Sequence, residues 1–458
     1  MGVLLLPACS SVPSGAALEK TRAFSRERLG HEAATAPDSA AVSALLSHPL
    51  TAERAVQVAL LANRQVHAKL EEIGISEAEL KEAATPRNPT LAASWRWTSS
   101  GGKSDPEFGV MGDFLDWALL PVRKKMAEHN LAATQQKVCA ELLEFAAEVK
   151  TAFYDLQARQ QVLAALHTEA EAGDAMAQVA DQMHKAGNIP DLELHLQQAG
   201  SATTRYQVQK ANADIIEARA ALNKLLGLSG ANALRWTISG TMPQPAEDFS
   251  PGRAEALAVS RRPDLEVARA RLAATEQALR LKQKSRVIPG LKLGVDTERD
   301  PEIGQLTGPS AEIEVPLFDW GRASVEKLQA QVRQAKAELD AAEANVRNEA
   351  RLAAAKMQAA RELWRVAAQS LLPQRQQILK ETLLQYNAMQ KSNFELLQAK
   401  AEEQRAHQEA IMALGDYWKA HVMLEKAVGG RFATRTAPAK KAAPPVIHQK
   451  EASAEHHP

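Results

Sequence analysis

The sequence predicts a mainly α fold with a small β part: a twofold internal repeat of long coiled-coil helices, each copy carrying one pair of strands. Three observations predict it. Ala, Leu, Glu, Gln, Lys and Arg dominate a chain of 458 residues with only 4% aromatics, which is the composition of long helices. Four phrases recur in the same order at nearly constant offset. Two pairs of alternating apolar and polar stretches each precede a very long helical pattern.

The repeat sets the domain organisation. Phe114-Leu115-Asp116-Trp117 aligns with Leu317-Phe318-Asp319-Trp320, an offset of 203. "GNIPDLEL" at 187–194 aligns with "MQKSNFEL" at 389–396, and "LNKLLG" at 222–227 with "LEKAVG" at 424–429, both at 202. "NPTL" at 88–91 sits against "IPGL" at 288–291, an offset of 200. Each copy reads helix, strand pair, very long helix, tight turn, shorter helix. The expected boundaries are an N-terminal extended segment at 10–49, repeat one at 50–248 and repeat two at 249–430. An Ala/Pro/Lys-rich tail at 431–458 reads as disordered.

Period-two alternation places the strands at about 90–98, 107–116, 290–297 and 309–317. Leu91, Ala93, Trp95 and Trp97 oppose Ala92, Ser94, Arg96 and Thr98; Ala311, Ile313, Val315 and Leu317 oppose Glu312, Glu314 and Pro316. Leu291, Leu293 and Val295 oppose Lys292, Gly294 and Asp296, while Phe108, Val110 and Phe114 lie opposite Asp113. Links rich in Gly, Pro, Ser and Asp join each pair as hairpin loops. Two readings stay open. The hairpins pack on a soluble core, or they belong to a membrane β-barrel with Trp95, Trp97, Trp117 and Trp320 at the interface. Four strands cannot close a spanning barrel, and an open edge in lipid is forbidden, so the second reading requires several chains.

The helices are expected at 122–186, 190–227, 322–388 and 393–428. In the third, apolar residues fall at Val325, Leu328, Val332, Ala335, Leu339, Ala342 and Val346, alternating steps of three and four that make a heptad seam. The step from Val346 to Ala350 is a stutter, and Pro373 is expected to kink the helix. Such a helix spans roughly 100 Å, too long for a globule. It fits a coiled-coil rod or a tube walled by helices.

The 55 basic and 55 acidic residues balance, which argues against a nucleic-acid partner. No run reaches the ~18 apolar residues of a transmembrane helix. There is no phosphate loop, CxxC pair or HExxH motif, and His448, His456 and His457 fall in the tail. No enzymatic activity, cofactor or metal site is expected. Cys139 sits in a helical pattern as a small packing residue. Cys9 follows "LLLPA" and precedes "SS". It resembles the end of a bacterial lipoprotein signal at 1–9, with Cys9 as the lipidated (palmitate-bearing) residue. The eight residues before it are short for a signal, which puts the expected start upstream of Met1.

Residues 50–430 resemble the outer-membrane efflux protein (TolC-like) family, in its lipoprotein branch. The resemblance rests on the repeat, the opening "LTAERAVQVALLANRQVHAKL", "RNPTL", "PLFDWGR", and the turns "GNIPDLEL" and "YNAMQKSNFELLQAK". It implies a homotrimer whose three four-stranded contributions close a twelve-stranded outer-membrane barrel, continued by a trimeric α-barrel across the periplasm. It further implies an exit duct for small solutes such as drugs or metal ions in a tripartite efflux or secretion system. The partners would be a periplasmic adaptor (membrane-fusion) protein, an inner-membrane pump and outer-membrane lipid.

In such proteins the helix turns form the periplasmic tip, here Gly187–Pro190 with Asp191 and Glu193, and Met389–Asn393 with Tyr386, Lys391, Glu395 and Gln398. Met389 stands where the family usually has Gly, and Gln398 where some members carry a second acid. One expectation is that Lys391 and Tyr386 bond to Glu193 and hold the tip shut; the alternative is ordinary exposed helix charges, worth about 0–1 kcal/mol per pair. The rival functional reading is a lipid-anchored periplasmic coiled-coil adaptor or structural protein.

Overall fold

The computed structural model describes residues 15–96, 105–238, 240–245, 249–286, 290–300, 304–315, 318 and 320–432. Cys9, Trp97, Leu317, Asp319 and the tail histidines lie outside the described residues. The chain begins with α1 (Ala16–Leu29) and α2 (Ser39–Leu46). These correct the expected extended segment at 10–49. The segment lacks an obvious apolar period, but Asp38 caps α2 by accepting from the Ala41 N–H, and α1 buries Ala17 and Leu29. Helices α3 (Ala52–Ala62) and α4 (Arg64–Ala84) follow, each opened by a capping side chain, Thr51 and Asn63 respectively.

Strands β1 (Thr90–Arg96) and β2 (Asp105–Asp113) then form an antiparallel hairpin, and α5 runs without a break from Phe114 to Lys185. The strand expected to reach 116 ends at Asp113, and the helix expected at 122 starts at Phe114. The reason is a cap: Asp113 accepts from the Asp116 N–H, 2.9 Å away. At 72 residues, α5 is roughly 110 Å long. It turns at 186–190 into α6 (Asp191–Leu226), and a linker carries the single turn α7 (Asn232–Arg235). Trp236, 1% exposed, anchors that linker: its Nε1 donates to Asn223, and Arg219 lies over its ring.

The same order continues with α8 (Pro251–Arg261), α9 (Pro263–Ser285), β3 (Leu291–Asp300), β4 (Gly304–Ile313), α10 (Arg322–Val366), α11 (Leu372–Asn387) and α12 (Asn393–Ala427). Here the pairing of β3 with β4 extends to Asp300 opposite Gly304, so residues 304–308, expected in the loop, are strand. The helix expected over 322–388 is divided by one π-helical turn, Ala367–Leu371. Pro373 causes it from just beyond. Its ring cannot donate to, and would clash with, the carbonyl four residues earlier, and the wider turn makes room.

The four strands form one antiparallel sheet in the order β1-β2-β3-β4, leaving β1 and β4 as edges. Above it lie two cores. Val138, Leu142, Val149 and Phe153 of α5 pack with Val56 and Leu60 of α3, Leu70 of α4 and Leu222 of α6. Val346, Ala350 and Met357 of α10 pack with Ala254 of α8 and Tyr417 and Leu424 of α12. Gly415 lets α12 approach α5, since a Cβ there would lie 2.9 Å from that of Ala158.

A buried ion cluster ties the cores together. Lys150 of α5 reaches Glu53 of α3 at 2.9 Å and Glu425 of α12 at 2.8 Å, and Glu53 also meets Arg431 at 2.6 Å. Burial alone would lower the Lys150 pKa, but Glu425 and Glu53 together outweigh it and keep the ammonium charged.

Candidate functional site: the helical tip and the sheet

The turns α5–α6 and α11–α12 have the same backbone. In the first, the Gly187 N–H donates to the His184 carbonyl at 2.9 Å and the Asn188 N–H to that of Met183 at 2.8 Å. In the second, Met389 donates to Tyr386 and Gln390 to Gln385, both at 2.9 Å. Both are Schellman closures, which require a left-handed residue past the helix end. Gly187 supplies it at φ 75°, and Met389 at φ 58°. Met389 is the one non-glycine residue with positive φ among the described residues, so the unexpected side chain does not change the turn. It strains it.

The helix starts differ. Pro190 precedes α6 and offers no side-chain cap. Around it, His184 Nε2 lies 2.6 Å from Asp191, and Lys185 pairs with Asp181 at 2.6 Å. Ser392 begins α12 with a full capping box. Its hydroxyl accepts from the Glu395 N–H at 3.3 Å, and Glu395 Oε2 accepts from the Ser392 N–H at 3.0 Å. Lys391 Nζ donates to the other Glu395 oxygen at 2.5 Å. The Lys391 ammonium, then the Ser392 N–H and hydroxyl, hold the Glu395 carboxyl at about 2, well below its usual value of 4.5.

At the tip, Asn393 Nδ2 donates to Glu193 Oε1 at 2.9 Å and so joins the two hairpins. Within the chain, then, Lys391 pairs with Glu395 four residues on, and the expected Lys391–Glu193 bond is replaced by Asn393–Glu193. Sequence reasoning passed over Asn393, because its partner is 200 residues away and an Asn just after a cap reads as turn chemistry. Tyr386 lines a groove of about 260 Å³ with Met176, Val179, Met183, Glu193 and Asn393. Gln398 lies exposed on α12. Leu192, Met389 and Phe394 project apolar surface at 71%, 96% and 65% exposure.

At the opposite end of the long helices the sheet exposes an apolar face. Leu91, Phe108, Val110, Val295 and Ile313 are between 46% and 81% exposed. Trp95 stands edge-on to Phe108, ring centroids 5.7 Å apart. Trp117 lies in the first turn of α5, its Nε1 3.3 Å from the Arg87 carbonyl, and Trp320 is exposed just before α10. Among the described residues, no helix is long and apolar enough to cross a membrane, and no cluster of three or more His, Cys, Asp or Glu could hold a metal ion.

Residues 256–430 match the model of the family described as outer membrane efflux protein. No curated protein matches the chain by sequence. Among solved structures, the Campylobacter jejuni CmeC outer membrane channel superposes with a TM-score of 0.72 at 16% identity, covering 95% of this chain and 96% of that one. A membrane protein from Pseudomonas aeruginosa gives 0.71 at 19%, covering 82% and 92%. The Vibrio cholerae outer membrane protein VceC gives 0.70 at 16%, covering 83% and 97%. The family resemblance read from the sequence therefore stands: the second half carries the efflux-protein match, and the chain as a whole has the mainly helical fold of these outer-membrane channels.

Proposed function

We propose that this outer-membrane efflux chain works as one third of a trimeric exit duct, passively conducting small solutes from periplasm to exterior. The observation that carries the reading is the sheet. It has two unpaired edges, β1 and β4, and an apolar face open to solvent. A sheet of this kind is tolerated in lipid only once its edges are paired. Joining β4 of one chain to β1 of the next closes twelve strands in three copies. The α10 seam supports the same assembly. Leu328, Val332, Ala335 and Leu339 are only half-buried in the single chain, as expected of a wall awaiting its neighbour.

On this reading the sheet sits in the outer membrane, with Trp95, Trp97, Trp117 and Trp320 near its interfaces and the Cys9 lipid beside it. The long helices cross the periplasm, and 50–248 and 249–430 are two copies of one wall unit. The tip at Gly187–Pro190 and Met389–Asn393 is the periplasmic aperture, where Asp191, Glu193, Lys391, Glu395, Tyr386 and Gln398 meet an adaptor that links the duct to an inner-membrane pump. CusC, VceC, OprN, CmeC and MtrE, whose solved structures resemble this chain, support the duct rather than a lone adaptor hairpin.

The test is direct. Detergent-purified protein should scatter light as a trimer, resist carbonate extraction from membranes, and form discrete conducting events in planar bilayers. A water-soluble monomer without conductance would overturn the proposal.

A further inference from the structure

Residues 428–432, just after α12, form a strap between α1 of the first core and α8 of the second. Its backbone is held from both sides. The Arg431 N–H donates to the Arg28 carbonyl of α1 at 3.0 Å, and Arg261 Nη1 of α8 donates to the Arg431 carbonyl at 3.4 Å. Two side chains anchor it. The Arg431 guanidinium lies against Gly30, where any Cβ would collide with it, and its Nη2 lies 2.6 Å from Glu53 Oε2. Phe432 packs on Phe249, ring centroids 4.5 Å apart.

A histidine addresses each anchor. His31, in the turn after α1, has its Nε2 buried without a hydrogen-bond partner and 3.9 Å from Glu53 Oε2, the oxygen that Arg431 uses. His421 of α12 packs on Trp418 and on Phe432, with each ring centroid 5.2 Å away. The charged groups facing the two imidazoles are Lys150 of α5, Glu53 of α3, Glu425 of α12 and Arg431 of the strap. Those two cations and two anions pair with one another, so the cluster is balanced while both histidines are neutral. Tyr154 of α5, stacked on Trp418, is pushed up by burial and stays neutral.

We propose that His31 and His421 make the strap an acid-operated latch: neutral, they leave it seated, and protonated, they release it. An imidazolium at His31 competes with Arg431 for Glu53 Oε2. One at His421 puts a charge into the seat of Phe432, beside a cluster with no spare carboxylate. Such a charge is costly to bury, and attraction to the neighbouring rings offsets only part of the cost. Burial pushes both imidazoles below the ordinary 6.5, against the pull of Glu53 on His31 and of Glu425 on His421. Release returns them towards 6.5. Above that pH both states are neutral and the latch is fully seated. As pH falls below it, the released state takes up protons first, so the seating weakens progressively. The latch lies within one chain and is independent of duct assembly.

The measurement is amide exchange of the full-length protein in detergent at about pH 7.5 and about pH 5.5, corrected for its intrinsic pH dependence. At the lower pH, exchange at 428–432 should rise by at least about threefold, with 346–350 in the α10 core unchanged. His31→Gln and His421→Phe, the second keeping a ring against Trp418, should each remove part of the rise, and the double variant should remove all of it. Should the double variant fail to fold, His31→Gln decides alone, and an undiminished rise there would overturn the proposal. A wild type with no rise would overturn it too. So would a rise that survives the double variant, which would assign the response to another group. An equal rise at 346–350 would also overturn it, because acid would then loosen the whole chain rather than the strap.

Discussion

The two tip turns solve the same geometric problem with opposite resources. Turn one has the right residue for its left-handed position, Gly187, and a poor helix start at Pro190. Turn two has the wrong residue, Met389, and a complete capping box from Ser392 and Glu395. A left-handed conformation costs a non-glycine residue about 1–2 kcal/mol, and a good N-cap returns about 1 kcal/mol. The comparison teaches that a strained C-terminal closure persists where the following helix start is strong enough to hold the chain in it.

Removing that support should produce the largest effect. Ser392→Ala deletes the hydroxyl that accepts from the Glu395 N–H, and an N-cap loss costs about 0.5–2 kcal/mol. Turn two should open while turn one is unaffected. Amide exchange at 393–396 should accelerate by about two- to thirtyfold, with residues 191–194 unchanged. Equal acceleration at both turns would mean that the tip moves as one unit and that the comparison fails.

Exchanging the left-handed residues should come next. Gly187→Met has open space for a side chain, so its cost is backbone strain alone. The strain is offset by the freedom that Gly loses on folding, leaving a net loss of about 1 kcal/mol. Met389→Gly should reverse it, stabilising turn two by somewhat under 1 kcal/mol. Proteolytic nicking at the tip should rise in the first variant and fall in the second. If Met389→Gly nicks faster, the Met389 side chain is making a contact worth more than the strain.

The same pair of turns shows what the sequence could and could not convey. Their positions were legible, because a 202-residue offset aligns them and helix-period patterns end there. So were the long helices, whose heptads persist over many turns, and the four alternating strands. The boundaries were less so. Asp113 looks like one more polar strand residue, but its carboxylate caps α5 and starts the helix eight residues before the expected position. Pro373 announced a disruption, yet the distortion falls ahead of it at Ala367–Leu371, because proline disturbs the preceding carbonyls rather than its own position. At the tip, the sequence named Glu193, Lys391 and Glu395 but matched Lys391 with Glu193, whereas within the chain it pairs with Glu395. Lys391 and Glu395 are four apart on neighbouring helical turns and find each other locally, whereas Glu193 meets Asn393 only because two distant hairpins lie side by side.

The smallest effect expected is a pH response confined to turn two. Glu395 is held ionised down to about 2 by Lys391 and by the Ser392 N–H and hydroxyl, against an ordinary value near 4.5. A depressed carboxylate contributes stability above its unfolded pKa and loses it as pH falls through its folded one, so the contribution is complete above pH 4.5 and fades towards pH 2. The carboxylate is exposed, so solvent and salt screen much of the interaction. The response should therefore be weaker than that of Ser392→Ala. Between pH 4.5 and 2, amide exchange at 393–396, corrected for its intrinsic pH dependence, should rise relative to 191–194. Glu395→Gln should flatten that differential without abolishing the cap, since the Ser392 hydroxyl still accepts from the residue 395 N–H. A differential that survives Glu395→Gln would assign the pH response to another group and leave the capping box as the sole advantage of turn two.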